Sequence, residues 1–172
     1  MSISGNSRND AQVYVASLET RYAEALSSSE PDWTSLITDL KSNIRNGSYP
    51  SVKSAYLLGL VYYQMGDYAN AQSTFEQAHK LNPDIYLASE ALVNAAACAD
   101  AQENTDRALE LSYQVYNDYP ESGVAAKALF NVARIYYQNG NTQLAKTTFE
   151  TVVEYYANSE YGKLAKNIAS VL

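Results

Sequence analysis

Stacked α-helical hairpins are the fold that three features of this 172-residue chain predict: one phrase written twice, apolar residues at helical spacing inside each copy, and strand signals nowhere. Residues 61–77, VYYQMGDYANAQSTFEQ, return 74 residues later at 135–151 as IYYQNGNTQLAKTTFET. That offset is twice 37. NPDIYLASEAL (82–92) falls on YPESGVAAKAL (119–129) after 37 residues, and YANSEYGKLAK (156–166) follows after another 37. A period in the thirties belongs to a solenoid, in which each unit buries its apolar face only by stacking on its neighbours.

Taken in chain order, residues 1–8 read as a disordered leader or one foreign to the native chain, and residues 9–172 as a single solenoid domain. Residues 9–49 form a degenerate first repeat. Tyr14, Leu18, Tyr22 and Ala25 make one helical stripe, and Trp33, Leu36, Ile37, Leu40 and Ile44 make another that starts at Pro31-Asp32 and stops at Asn46-Gly47. In the repeat at 50–85, Ala55, Leu58, Val61 and Tyr62 recur at helical spacing as far as Gly66. Asp67 then caps a second helix carrying Ala71, Phe75, Ala78 and Leu81, which ends at Asn82-Pro83. The repeat at 86–122 has Leu92, Ala95, Ala96 and Ala99, a turn at Glu103-Asn104, then Ala108, Leu111 and Val115 before Tyr119-Pro120. The repeat at 123–158 has Leu129, Val132, Ala133 and Tyr136, a turn at Asn139-Gly140-Asn141, then Ala145, Phe149 and Val152. Residues 159–172 read as a capping helix started by Ser159, with Tyr161, Leu164, Ile168 and Val171 on one face and Lys163, Lys166 and Asn167 elsewhere. Small residues stand where paired helices must cross closely: Gly59, Ala96 and Ala133 on first helices, Ala71, Ala108 and Ala145 on second ones.

Composition narrows the function. The chain is 47% hydrophobic and 18% charged, enough to bury a core. Its longest apolar run, AYLLGLVYY at 55–63, is far below the roughly 18 residues of a membrane span. With a net charge of -7 and no run of Lys or Arg, nucleic acid and anionic membrane are poor partners. The start MSISGNSRNDAQ lacks the basic cluster and apolar stretch of a secretory signal. Cys98 is the only cysteine, which excludes an intrachain disulfide. Catalytic material is thin: His79 lies near a helix C-terminus, Cys98 sits in AAACADA as a small packing residue, and no phosphate loop, HExxH, CxxC or dinucleotide glycine pattern occurs. The chain is therefore expected to be no enzyme, with no cofactor and no metal site.

Leu58-Gly59, Tyr62, Ala71, Phe75, Ala78 and Pro83 together resemble the tetratricopeptide repeat, with Ala55 in the place of its first bulky residue. The next unit keeps Leu92, Ala96, Ala108 and Pro120 but has Ser112 where the pattern has Phe, and the third keeps Leu129, Ala133, Tyr136, Ala145 and Phe149. The resemblance implies a right-handed all-α solenoid of about four helix pairs plus the capping helix, binding a protein or peptide partner on a concave face of first helices. Carried onto this chain, that face is Lys53, Tyr56, Leu60 and Tyr63, then Glu90, Val93, Asn94 and Ala97, then Lys127, Phe130, Asn131, Arg134 and Tyr137, an aromatic groove with a positive rim at its C-terminal end. Asn94 and Asn131, 37 residues apart, either hold a partner's backbone with paired donor and acceptor or bond a neighbouring helix turn. Tyr63 and Tyr137 are either groove anchors or packing between repeats. Chaperone-type members clamp a C-terminal carboxylate. Here Asn94 and Lys127 remain, Tyr56, Leu60 and Asn131 depart from that clamp, and Arg134 is the candidate substitute, so an apolar or aromatic segment is the expected ligand. The phrase DYPESGVAAKALFNVARIYYQNG is similar to repeats of bacterial envelope proteins, which implies an adaptor of the periplasm or cell envelope. A cytoplasmic cochaperone or secretion chaperone holding client peptide is the alternative.

Overall fold

The computed structural model describes residues 3–172, with side chains from Ser7 onward. Among these residues the chain is all α, with no strand: α1 (Ile3–Leu26), α2 (Trp33–Asn43), α3 (Tyr49–Gln64), α4 (Tyr68–Leu81), α5 (Tyr86–Ala101), α6 (Thr105–Asp118), α7 (Ala125–Gln138), α8 (Thr142–Tyr156) and α9 (Glu160–Ala169). Of the expected leader, Met1 and Ser2 lie outside the described residues, and residues 3–8 are the first turns of α1. The chain divides into two compact units, one ending at Ala91 and the other running from Leu92 to Leu172.

Helix ends fall where the sequence chemistry puts them. Gly66, Glu103 and Gly140, each 37 residues from the next, all take left-handed backbone, at φ 74°, 59° and 78°. The residue after each one closes the turn: Asp67, Asn104 and Asn141 donate their backbone N–H to the carbonyls of Tyr62, Ala99 and Tyr136, each at 2.9 Å. This is the six-to-one bond that satisfies the last orphan carbonyls of a helix. The same residues begin the next helix. Asp67 accepts the N–H of Asn70 at 3.2 Å and Asn104 that of Arg107 at 3.3 Å, whereas Asn141 makes no such bond. Asp32 and Ser159 cap α2 and α9 in the same manner.

The first unit is held by Val15, Leu18, Leu36, Leu40, Leu57, Leu58 and Val61, with Tyr22, Trp33, Ile37 and Ile44 packed around them. Two expectations need correction here. The inward stripe of α1 contains Val15 rather than Tyr14, which is 41% exposed, because the helix is rotated so that Val15, Leu18 and Tyr22 meet α2 and α3. Helix α2 also stops at Asn43. Ile44 takes extended backbone beyond it and still packs on the core.

Helices α3 and α4 cross closely at Gly59. A Cβ there would come within 2.6 Å of the Phe75 ring, itself fully buried, so the small residue is a steric requirement. Period-spaced contacts tie neighbouring hairpins: Asn82 donates its side-chain amide to the Gly47 carbonyl at 2.9 Å, and the Tyr49 and Tyr86 hydroxyls lie 3.5 Å apart.

In the second unit Leu129, Ala133, Ala145, Phe149, Val152 and Ala165 form the core. The α9 stripe differs from expectation. Gly162 and Ala165 are buried and Tyr161 and Ile168 pack on the core, whereas Leu164 and Val171 are exposed. The reason is close approach, since a Cβ at Gly162 would collide with the Tyr156 carbonyl at the end of α8. Ser112, in the position held by Phe75 and Phe149 in the flanking repeats, is fully buried, and its hydroxyl has no hydrogen-bond partner among the described residues.

Candidate functional site

The residues of the expected groove divide between the two units, with Lys53, Tyr56, Leu60, Tyr63 and Glu90 in the first and the remainder in the second. In the first unit much of that face is already engaged. Helix α1 packs against α3, and Glu19 pairs with Lys53 at 2.7 Å, leaving the lysine side chain 12% exposed. Leu60 packs against the cluster that α1 and α2 share with α3, and the Tyr56 ring meets that of Phe75 at a tilt of 59°, with ring centres 5.7 Å apart. Tyr63 is different: it stands 41% exposed, its ring edge to face with Tyr68 at 5.3 Å. Glu90 is half-buried.

In the second unit Val93 is buried, a core residue rather than a groove one, while Asn94 and Ala97 on α5 are half-buried. On α7, Lys127, Phe130, Asn131 and Arg134 are half-buried and Tyr137 is 53% exposed. The Asn131 amide makes no hydrogen bond among the described residues.

The positive rim needs correction. Arg134 binds the Asp100 carboxylate at 2.7 Å and donates to Gln138 Oε1 at 2.8 Å, so its charge is already paired. An arginine so paired is a poor clamp for a partner's carboxylate, because that partner would displace one charge-assisted bond to make another. Lys127 carries no ion pair among the described residues and is the cation left on this face.

What the sequence reading missed is the contribution of α9 and the residues that follow it to the C-terminus. Phe130, Arg134 and Tyr137 line an apolar pocket of about 340 Å³ together with Phe149, Ile168, Val171 and Leu172. The Phe130 ring is fixed from two sides, 5.2 Å from Phe149 and 5.3 Å from Tyr161. A rigid aromatic wall, a second wall of aliphatic side chains and a guanidinium at the edge suit an apolar side chain entering from solvent. The only sequence signal for this was apolar residues near the C-terminus, and those had a sufficient explanation as a cap.

The candidates for chemistry are buried or peripheral. Cys98 is fully buried, and burial raises its thiol pKa to about 12, the opposite of an activated nucleophile. His79 lies in the last turn of α4. Among the described residues no group of His, Cys, Asp and Glu is placed to hold a metal ion, and no helix is long and apolar enough to cross a membrane.

Repeated helical hairpins with small residues at the crossings define a helical-repeat protein. The chain belongs to the tetratricopeptide repeat family: models of that repeat match residues 52–85 and 100–168, together more than half its length. Solved structures agree on the fold. PcrH in complex with the chaperone binding region of PopB is 18% identical, with TM-score 0.59, covering 72% of this chain and 95% of that one. The TPR-like repeats of a Podosopora anserina putative kinesin light chain are 18% identical with TM-score 0.62, over 96% of this chain and 84% of that one. BtubC from P. vanneervenii is 18% identical with TM-score 0.58, over 94% and 65%. No curated protein sequence matches the chain significantly.

Proposed function

We propose that the protein is a non-catalytic adaptor that seats an apolar or aromatic side chain of a partner segment in the pocket between α7 and α9. The observation that carries this reading is that Phe130, Arg134 and Tyr137, three residues the family resemblance assigns to the binding face, line one apolar pocket with α9. Tyr137 is the anchor, offering a large ring with few torsions to freeze. Asn131, which makes no side-chain hydrogen bond among the described residues, is a donor and acceptor for the partner's backbone.

Peptides selected from a displayed random library should carry an aromatic or large aliphatic residue at a fixed position. Tyr137→Ser and Val171→Asp, both at exposed positions, should weaken those peptides by about tenfold or more with an unchanged melting temperature. Unaltered affinity in both variants would reject the pocket.

The similarity of DYPESGVAAKALFNVARIYYQNG to envelope-protein repeats supports a place in the bacterial cell envelope. Likeness to PcrH, solved with the chaperone binding region of PopB, supports a second reading in which the same pocket holds a client for export. Fractionation of native cells separates the two: recovery with the periplasm or membranes favours the adaptor, and recovery in the cytosol favours the chaperone.

A further inference from the structure

The second helices of the second unit form a separate recess. Tyr116 at the end of α6, with Pro120, Glu121 and Ser122 in the turn after it, borders a cleft of about 560 Å³ whose other side is Tyr155 and Tyr156 at the end of α8. Three phenol rings thus surround one space. Tyr116 and Tyr156 meet edge to face at 6.4 Å, and the Tyr156 hydroxyl donates to the Pro120 carbonyl at 3.0 Å, which holds that ring in place. Tyr155 stands 62% exposed at the edge.

Among the residues that line the cleft, Glu121 is the one charged side chain. Asp118, Glu150, Glu154 and Glu160 lie nearby in sequence, with Lys127, Lys146 and Lys163 just beyond them. Burial, then Tyr116, then Glu121 raise the Tyr156 pKa, so the phenol stays neutral and the Glu121 charge is felt at its ring. The Ser122 hydroxyl, out of solvent, has no hydrogen-bond partner among the described residues.

Aromatic rings and a carboxylate around one opening are the recognition chemistry of a cation: the face of such a ring carries the negative end of its quadrupole, and the carboxylate supplies the counter-charge. An anion would be repelled, and a neutral apolar group would desolvate Glu121 without compensation. We propose that this cleft binds the arginine or lysine side chain of a basic segment in a partner protein, with Tyr116, Tyr155 and Tyr156 as walls and Glu121 as counter-ion. The site is independent of the α7–α9 pocket, and its failure would leave that reading standing.

The test is an NMR titration of the full chain at low ionic strength with the blocked peptide Gly-Arg-Gly-Arg-Gly, its citrulline counterpart, and tetramethylammonium. The arginine peptide should give saturable shifts at Tyr116, Glu121, Ser122 and Tyr155, with the citrulline peptide weaker by about fivefold or more. Glu121→Gln and Tyr155→Leu, both at exposed positions, should each weaken the arginine peptide by about fivefold with unchanged melting. Equal binding of the citrulline peptide, wild-type affinity in both variants, or shifts spread over all acidic surfaces would overturn the proposal. Tighter binding of tetramethylammonium than of the peptide would overturn the assignment to a protein side chain.

Discussion

Glu103 holds left-handed backbone at a position where the equivalent residues one period away are Gly66 and Gly140. A side chain there costs about 1 kcal/mol through its Cβ, so Glu103→Gly should raise stability by about that amount, less the extra freedom that glycine gives the unfolded chain. A lowered urea midpoint would show that Glu103 makes a compensating contact. Ser112 is the second local anomaly, a buried hydroxyl without a partner among the described residues. Ser112→Ala should be stabilising by about 1 kcal/mol, because the unsatisfied group is removed at little loss of volume; a clear loss would mean that a buried water serves the hydroxyl. At Asp67 the side-chain amide of Asn70, followed by its backbone N–H, holds the carboxyl below the ordinary value of 3.8. Its pKa is depressed on folding, so the stability it contributes is present above 3.8 and is lost as pH falls through the lower folded value. Comparing Asp67→Asn with the wild type across acid pH checks this: the stability difference should be constant near neutrality and shrink in acid. Residue chemistry of this kind was legible beforehand for caps and turns, since a cap bonds its own chain three residues on. Glu103 as a strained turn and Ser112 as an orphan were readable only as departures from the pattern.

Elements are governed by how closely helices approach. Gly59→Ala sets two effects against each other: alanine is the better helix former by about 1 kcal/mol, but its methyl would enter the Phe75 ring, where overpacking costs about 1–3 kcal/mol. The ring is fully buried and has nowhere to swing, so the net change should be destabilising. An unchanged melting temperature would show that α3 and α4 slide apart easily. Ala108, 1% exposed on α6, should behave likewise as Ala108→Leu, with a loss of about 1–3 kcal/mol. Periodicity located every helix, because helical spacing is a property of consecutive residues. It did not set the rotation of α1 or α9: Val15 and Tyr14 are neighbours, as are Ala165 and Leu164, and only the surface opposite chooses between them.

For the molecule taken whole, acidity and repetition are the informative properties. A net charge of -7 should leave the protein unbound by phosphatidylserine vesicles in a flotation assay. Salt-sensitive flotation would expose a basic surface that composition hides. Several tertiary hydrogen bonds join residues about one period apart, as in Gly47 with Asn82, Asp100 with Arg134, and Pro120 with Tyr156. A period is therefore a distance that the fold uses. The groove was legible as a set of positions but not as a surface: Lys53 read as lining and is paired with Glu19, Arg134 read as part of a positive rim and is paired with Asp100, Val93 read as lining and is core, and α9 read as a cap and walls the pocket.

By itself the amino-acid order determined the period, the helical class, the caps and the crossing residues, all of which depend on hydrogen bonds and spacings within a few residues. Tertiary structure alone decided which charges are neutralised, which of two adjacent side chains faces inward, and which aromatics share a pocket. Those outcomes depend on the distance and rotation between helices distant in sequence, and packing sets both.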